Sequence, residues 1–167
     1  MKNLFNDSDN LTKPKQLLRD ESKHLYKSCD SCSGGDCNEC PLKYKTEGDM
    51  EIIQNKYSAA IQSYEKGVNK FPDFLELWNN LAPAYGMIGE YEKALAAFDK
   101  AILGDPKYGK ALFGKAVTLN NIQRYQEGLD LCNKILDLYD NPETKKLKND
   151  IQRNLSLSAG KNSSKKI

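Results

Sequence analysis

Displaced by 34 residues, the chain falls back onto itself. Tyr57, Tyr91 and Tyr125 coincide, as do Ala60, Ala94 and Gly128, and Ile61, Leu95 and Leu129. Tyr64, Phe98 and Cys132 share a register, followed by Lys66, Lys100 and Lys134 and then by Val68, Ile102 and Leu136. Upstream, Tyr44, Trp78 and Leu112 align, with the small residues Gly48, Ala82 and Ala116 behind them. Pro72 and Pro106 close the first two copies, and Pro142 falls just past the same point in the third. A fixed period of this length marks a repeat architecture in which each unit is one supersecondary element.

Within a copy the apolar residues recur at helical spacing. Leu75, Trp78, Leu81, Ala82 and Tyr85 trace one amphipathic helix, which Gly89 ends. Tyr91, Ala94, Leu95, Phe98, Ala101 and Ile102 trace a second, which Gly104, Asp105 and Pro106 stop. Small side chains at Ala82, Ala94 and Ala101 allow close helix approach, with Trp78, Tyr91 and Phe98 expected to fill the space between. A single helix pair cannot bury its apolar stripe, so stacked pairs share one core. The expected fold is all-α. Residues 1–40 form an N-terminal helix (12–28, with Pro14 near its start) and a Cys-rich loop; the repeats span 41–74, 75–108 and 109–142; a capping helix covers 143–158; and 159–167 is a tail.

The pattern Trp78, Leu81, Ala82, Tyr85, Gly89, Tyr91, Ala94, Phe98, Ala101, Pro106 resembles a tetratricopeptide repeat. The resemblance implies a right-handed superhelix whose inner helices line a concave groove, and a role in binding peptides or proteins. Lys45-Thr46-Glu47-Gly48-Asp49 is further similar to the opening of co-chaperone repeats that hold the acidic C-terminal tail of heat-shock chaperones in a carboxylate clamp. Asn80 and Lys110 continue that resemblance. Asp49 departs from it, standing where the clamp has an amide, and so does Gly114, where the clamp has a basic residue. The groove candidates are Lys45, Asp49, Asn79, Asn80, Pro83, Lys110, Phe113 and Gly114. Pro83 interrupts an inner helix and frees the carbonyl of Asn79, either as a tolerated kink or as a ligand contact.

Cys29, Cys32, Cys37 and Cys40 form two C-x-x-C pairs joined through Gly34-Gly35. Four thiolates in so short a span suit a closed zinc site first and an iron–sulfur cluster second. Disulfides or redox-active thiols are the alternative, favoured by an oxidising compartment. Cys132, in register with Tyr64 and Phe98, is a core residue.

Other classes are set aside on composition and motif. Lys and Arg outnumber Asp and Glu by 25 to 23, which gives no electrostatic case for nucleic acid. No apolar run approaches a membrane span, and the start carries acids early, unlike a secretory signal. A soluble intracellular protein, cytoplasmic or organellar, is expected. The single histidine, His24, lies in the leading helix, so no Ser–His or Cys–His catalytic arrangement assembles across the repeats. The chain reads as a non-enzymatic adaptor or assembly factor, with a thiol-redox or iron–sulfur protein as the alternative and a chaperone-tail binder as a narrower one.

Overall fold

The computed structural model describes residues 40–163, so the predicted helix over 12–28, with His24, and the cysteines Cys29, Cys32 and Cys37 lie outside the described residues. Among the described residues seven helices follow one another: α1 (Pro41–Ile53), α2 (Tyr57–Lys70), α3 (Leu75–Met87), α4 (Tyr91–Gly104), α5 (Gly109–Asn121), α6 (Tyr125–Leu138) and α7 (Pro142–Ser163). Tyr57, Tyr91 and Tyr125 each open the second helix of a pair, as the internal period requires. The last helix continues to Ser163, past the expected boundary at 158.

The turn inside each pair repeats in atomic detail. Asn55, Gly89 and Gln123, again 34 residues apart, all adopt the left-handed conformation, with φ of 57°, 83° and 65°. In each case the next residue closes the inner helix: Lys56 N donates to Glu51 O, Glu90 N to Tyr85 O and Arg124 N to Leu119 O, at 2.8, 3.0 and 2.9 Å. These bonds form a Schellman arrangement, which satisfies carbonyls that a helix end leaves open. Glycine takes the left-handed turn without strain, whereas Gln123 adopts it against its Cβ.

Consecutive helices pack in antiparallel pairs, and each inner helix (α1, α3, α5) also touches the next inner one, with α7 completing the row. Among the described residues no pair of outer helices makes contact as extensive as these. A layer closer on one side than on the other must curve, with its inner helices on the hollow face.

Two apolar clusters meet at Ile102 and run the length of the stack. Tyr64, Phe98 and Cys132, one register of the three outer helices, are all fully buried. Burial pushes the Cys132 thiol up, as expected of a packed rather than a reactive cysteine. Leu77 and Leu112 are also wholly enclosed, and Leu77 was not part of the apolar stripe read from the sequence. Trp78 packs against the core as the sequence reading had it, while staying half-buried: its Nε1 donates to Pro72 O at 2.8 Å and ties the preceding turn to α3. Tyr91 does not fill the space between helices. As the first residue of α4 it sits at the rim and is 37% exposed.

Candidate functional site

The hollow face gathers its polar groups around one carboxylate. Asp49 lies one turn after Lys45 on α1, and Lys45 Nζ meets its Oδ2 at 2.7 Å. Asn80, from α3, donates Nδ2 to Asp49 Oδ1 at 2.9 Å, and Asn79 Nδ2 holds the other end of that amide at Asn80 Oδ1, 3.2 Å away. The third donor comes from behind. Tyr64, on α2, passes its buried ring beneath α1 and donates its hydroxyl to Asp49 Oδ1 at 2.6 Å. Burial first, and then the bond to Asp49, push the Tyr64 hydroxyl up, so it remains a donor at neutral pH. Donors from three helices thus converge on a single carboxylate, the charge-assisted arrangement in which hydrogen bonds are shortest and strongest.

Gly48 makes this convergence sterically feasible. A Cβ there would stand 2.6 Å from Tyr64 Cζ and 2.7 Å from Cδ1. The same register holds Ala82 and Ala116 in the next two inner helices. Phe98 leans onto the next inner helix, where a Cβ on Gly114 would come within 2.6 Å of Phe98 Cε1.

Beside the cluster lies an apolar cleft of about 360 Å³ lined by Ile52, Ile53, Pro83 and Met87, with Asp49, Tyr64 and Asn80 along one edge. Pro83 sits within α3, which continues unbroken from Leu75 to Met87. Lacking an N–H, it leaves the Asn79 carbonyl without its helical donor and presents its ring to the cleft.

Of the residues predicted from sequence, Lys45, Asp49, Asn79, Asn80 and Pro83 come together here. Lys110 and Phe113 do not. They line a separate cleft of about 400 Å³ between α5 and the start of α7, with Tyr108, Tyr139 and Asn141. Gly114 is held small by Phe98. Tyr64, Ile52, Ile53 and Met87 are site residues that the sequence reading missed. The one available signal was the hydroxyl on Tyr64, where the same register elsewhere holds Phe98 and Cys132.

At the other end, Cys40 is buried and caps the N-terminus of α1, immediately before Pro41. Among the described residues no group of three or more His, Cys, Asp or Glu could hold a metal ion.

Stacked helix pairs with a continuous inner face define a repeat scaffold of the protein-interaction class. The family model described as "Tetratricopeptide repeat" matches residues 48–105 and again 80–141, and the chain belongs to the tetratricopeptide repeat family. Small glutamine-rich tetratricopeptide repeat-containing protein 2 of Mycosarcoma maydis is 32% identical over 90 residues, which cover 54% of this chain and 26% of that relative. The match to human tetratricopeptide repeat protein 12 covers 13% of that protein, so the chain spans only a minor part of its curated relatives. Among solved structures, the second TPR domain of the human RPAP3 protein, in complex with HSP70 peptide SGPTIEEVD, has a TM-score of 0.63 at 26% identity, covering 67% of this chain and 94% of that one. The first TPR of Spaghetti (RPAP3), bound to HSP90 peptide SRMEEVD, has a TM-score of 0.65 at 26% identity, covering 70% and 95%. Among the described residues no helix is long and apolar enough to cross a membrane.

Proposed function

We propose that this chain is a non-enzymatic adaptor that holds an extended segment of a partner protein along its hollow inner-helix face. The observation that carries this reading is the cleft of Ile52, Ile53, Pro83 and Met87, flanked by oriented polar groups. Ile53 is 47% exposed within it, an apolar surface with no core role on a face that the family uses for binding. Affinity capture with wild type and with the Ile53→Asp/Met87→Asp double variant tests it. Partners retained by wild type and lost by a folded variant support the reading, and an identical captured set rejects it.

A chaperone C-terminal tail is the second reading, favoured by the two peptide-bound neighbours. Titration with the peptide SRMEEVD tests it directly.

Joined to the groove is an N-terminal module in which Cys29, Cys32, Cys37 and Cys40 hold a structural zinc. The C-x-x-C spacing supports this, as does the position of Cys40: the positive end of a helix favours a thiolate over a thiol. When bound, the zinc supplies a crosslink between the Cys-rich segment and the first repeat, with no catalytic step. Metal analysis of native protein should find one zinc per chain. Brown absorption bands would instead indicate an iron–sulfur cluster, and two intramolecular disulfides without metal would reject both.

A further inference from the structure

Donors converging from three helices onto carboxylate oxygens constitute an anion site, and here the anion belongs to the chain itself. Lys45 Nζ is committed to Asp49 Oδ2 at 2.7 Å, while Tyr64 and Asn80 are committed to Oδ1 at 2.6 and 2.9 Å. A partner's carboxylate entering this place would have to strip those donors from Asp49 and then stand beside it, like charge against like charge. Among the described residues, Lys45 is the cation paired with Asp49. Position 114 cannot carry another while Phe98 occupies its Cβ space, and Lys110 lines the other cleft. What the groove leaves open next to Asp49 is apolar: Ile52, Ile53, Pro83 and Met87.

We infer that Asp49 is a resident ligand filling the groove's carboxylate subsite, so the first two repeats select an internal stretch of a partner chain without carboxylates, anchored by an aliphatic or methionine side chain in the cleft, rather than a free C-terminus. This rests on the peptide-groove reading above and specifies the chemistry of the occupant.

The test uses the full chain, wild type and Asp49→Asn, and two fluorescent peptides followed by anisotropy. One is Ser-Arg-Met-Glu-Glu-Val-Asp with a free C-terminal carboxylate. The other is acetyl-Ser-Arg-Met-Gln-Gln-Val-Asn-amide, of the same shape but with its acids neutralised and its ends blocked. Wild type should bind the blocked peptide at least as tightly as the free acid, and lose it about tenfold when its methionine is replaced by alanine. Asp49→Asn, with Lys45 released and an amide N–H added, should prefer the free acid by about tenfold or more. Thermal midpoints of the two proteins within a few degrees establish that the variant is folded. A tenfold preference of wild type for the free acid overturns the inference, as does an Asp49→Asn protein that gains no such preference. Wild type that binds neither peptide overturns the choice of occupant. None of these results alters the adaptor reading, which fails only if the Ile53→Asp/Met87→Asp variant captures the same partners as wild type.

Discussion

Gly48→Ala adds one methyl group inside a helix, where alanine is ordinarily the better residue by about 0.5–1 kcal/mol. Here the methyl would stand 2.6 Å from Tyr64 Cζ and 2.7 Å from Cδ1, nearly an ångström inside van der Waals contact. The ring has little freedom to retreat, being 1% exposed and held at its far end by the 2.6 Å bond to Asp49. Overpacking of this kind costs about 1–3 kcal/mol, and loss of a hydrogen bond to a charged group about 1.5–3 more. Offset by the helix-propensity gain, the net destabilisation is about 1.5–5.5 kcal/mol. For a chain of 167 residues this lowers the melting temperature by roughly 3–20 °C. Gly86→Ala is the control: it also lies in an inner helix, but an added Cβ meets nothing within 4 Å, so stability should rise by about 0.5–1 kcal/mol. Urea unfolding followed by far-ultraviolet circular dichroism measures both. A Gly48→Ala protein as stable as wild type would show that Tyr64 is not pinned, and the argument for the Asp49 cluster would fall with it.

Gln123→Gly should stabilise by about 1 kcal/mol, because Gln123 adopts φ 65° in a turn that Gly89 takes without strain; unchanged urea midpoints would count against a left-handed penalty there. Thr144→Val should raise the melting temperature by a few degrees, since Thr144 is fully buried and its hydroxyl has no hydrogen-bond partner among the described residues, an omission worth about 1–3 kcal/mol; a lower melting temperature would refute this. Burial pushes the hydroxyls of Tyr64, Tyr85 and Tyr108 up, helped at Tyr64 and Tyr85 by the bonds to Asp49 and Glu65. Folding therefore retains protons that the unfolded chain releases near pH 10, so stability is complete below that pH and is lost as the pH rises beyond it. A thermal-melt series in alkaline buffers should show this decline, with a shallower slope for Tyr64→Phe; equal slopes would remove Tyr64 from the account.

The fold was legible because a repeat writes its geometry into the sequence three times. Tyr57, Tyr91 and Tyr125 mark three equivalent helix starts and Gly89 one of the turns, since the same local bonding recurs wherever the same register returns; the matching turns at Asn55 and Gln123 emerged only in the structure. The burial of Cys132 followed from that register alone. Half of the groove was legible only through the resemblance to co-chaperone repeats, which picked out Lys45, Asp49 and Asn80. Tyr91 was misjudged because periodicity assigns a residue to a face but not to a depth.

What the sequence by itself determined is therefore the stack: the helix pairs, their turns, and the face each residue belongs to, all set by local propensity and a shared apolar stripe. Only the tertiary structure decided the state of the site. Asp49 read in one dimension is a mismatch to a clamp; in three dimensions it is a carboxylate with three donors, one of them brought from the outer layer by a ring that Gly48 makes room for. Gly114 likewise changes from a missing cation into the space that Phe98 requires. Contacts between layers depend on where side chains end rather than where they begin, and the linear order records only the latter.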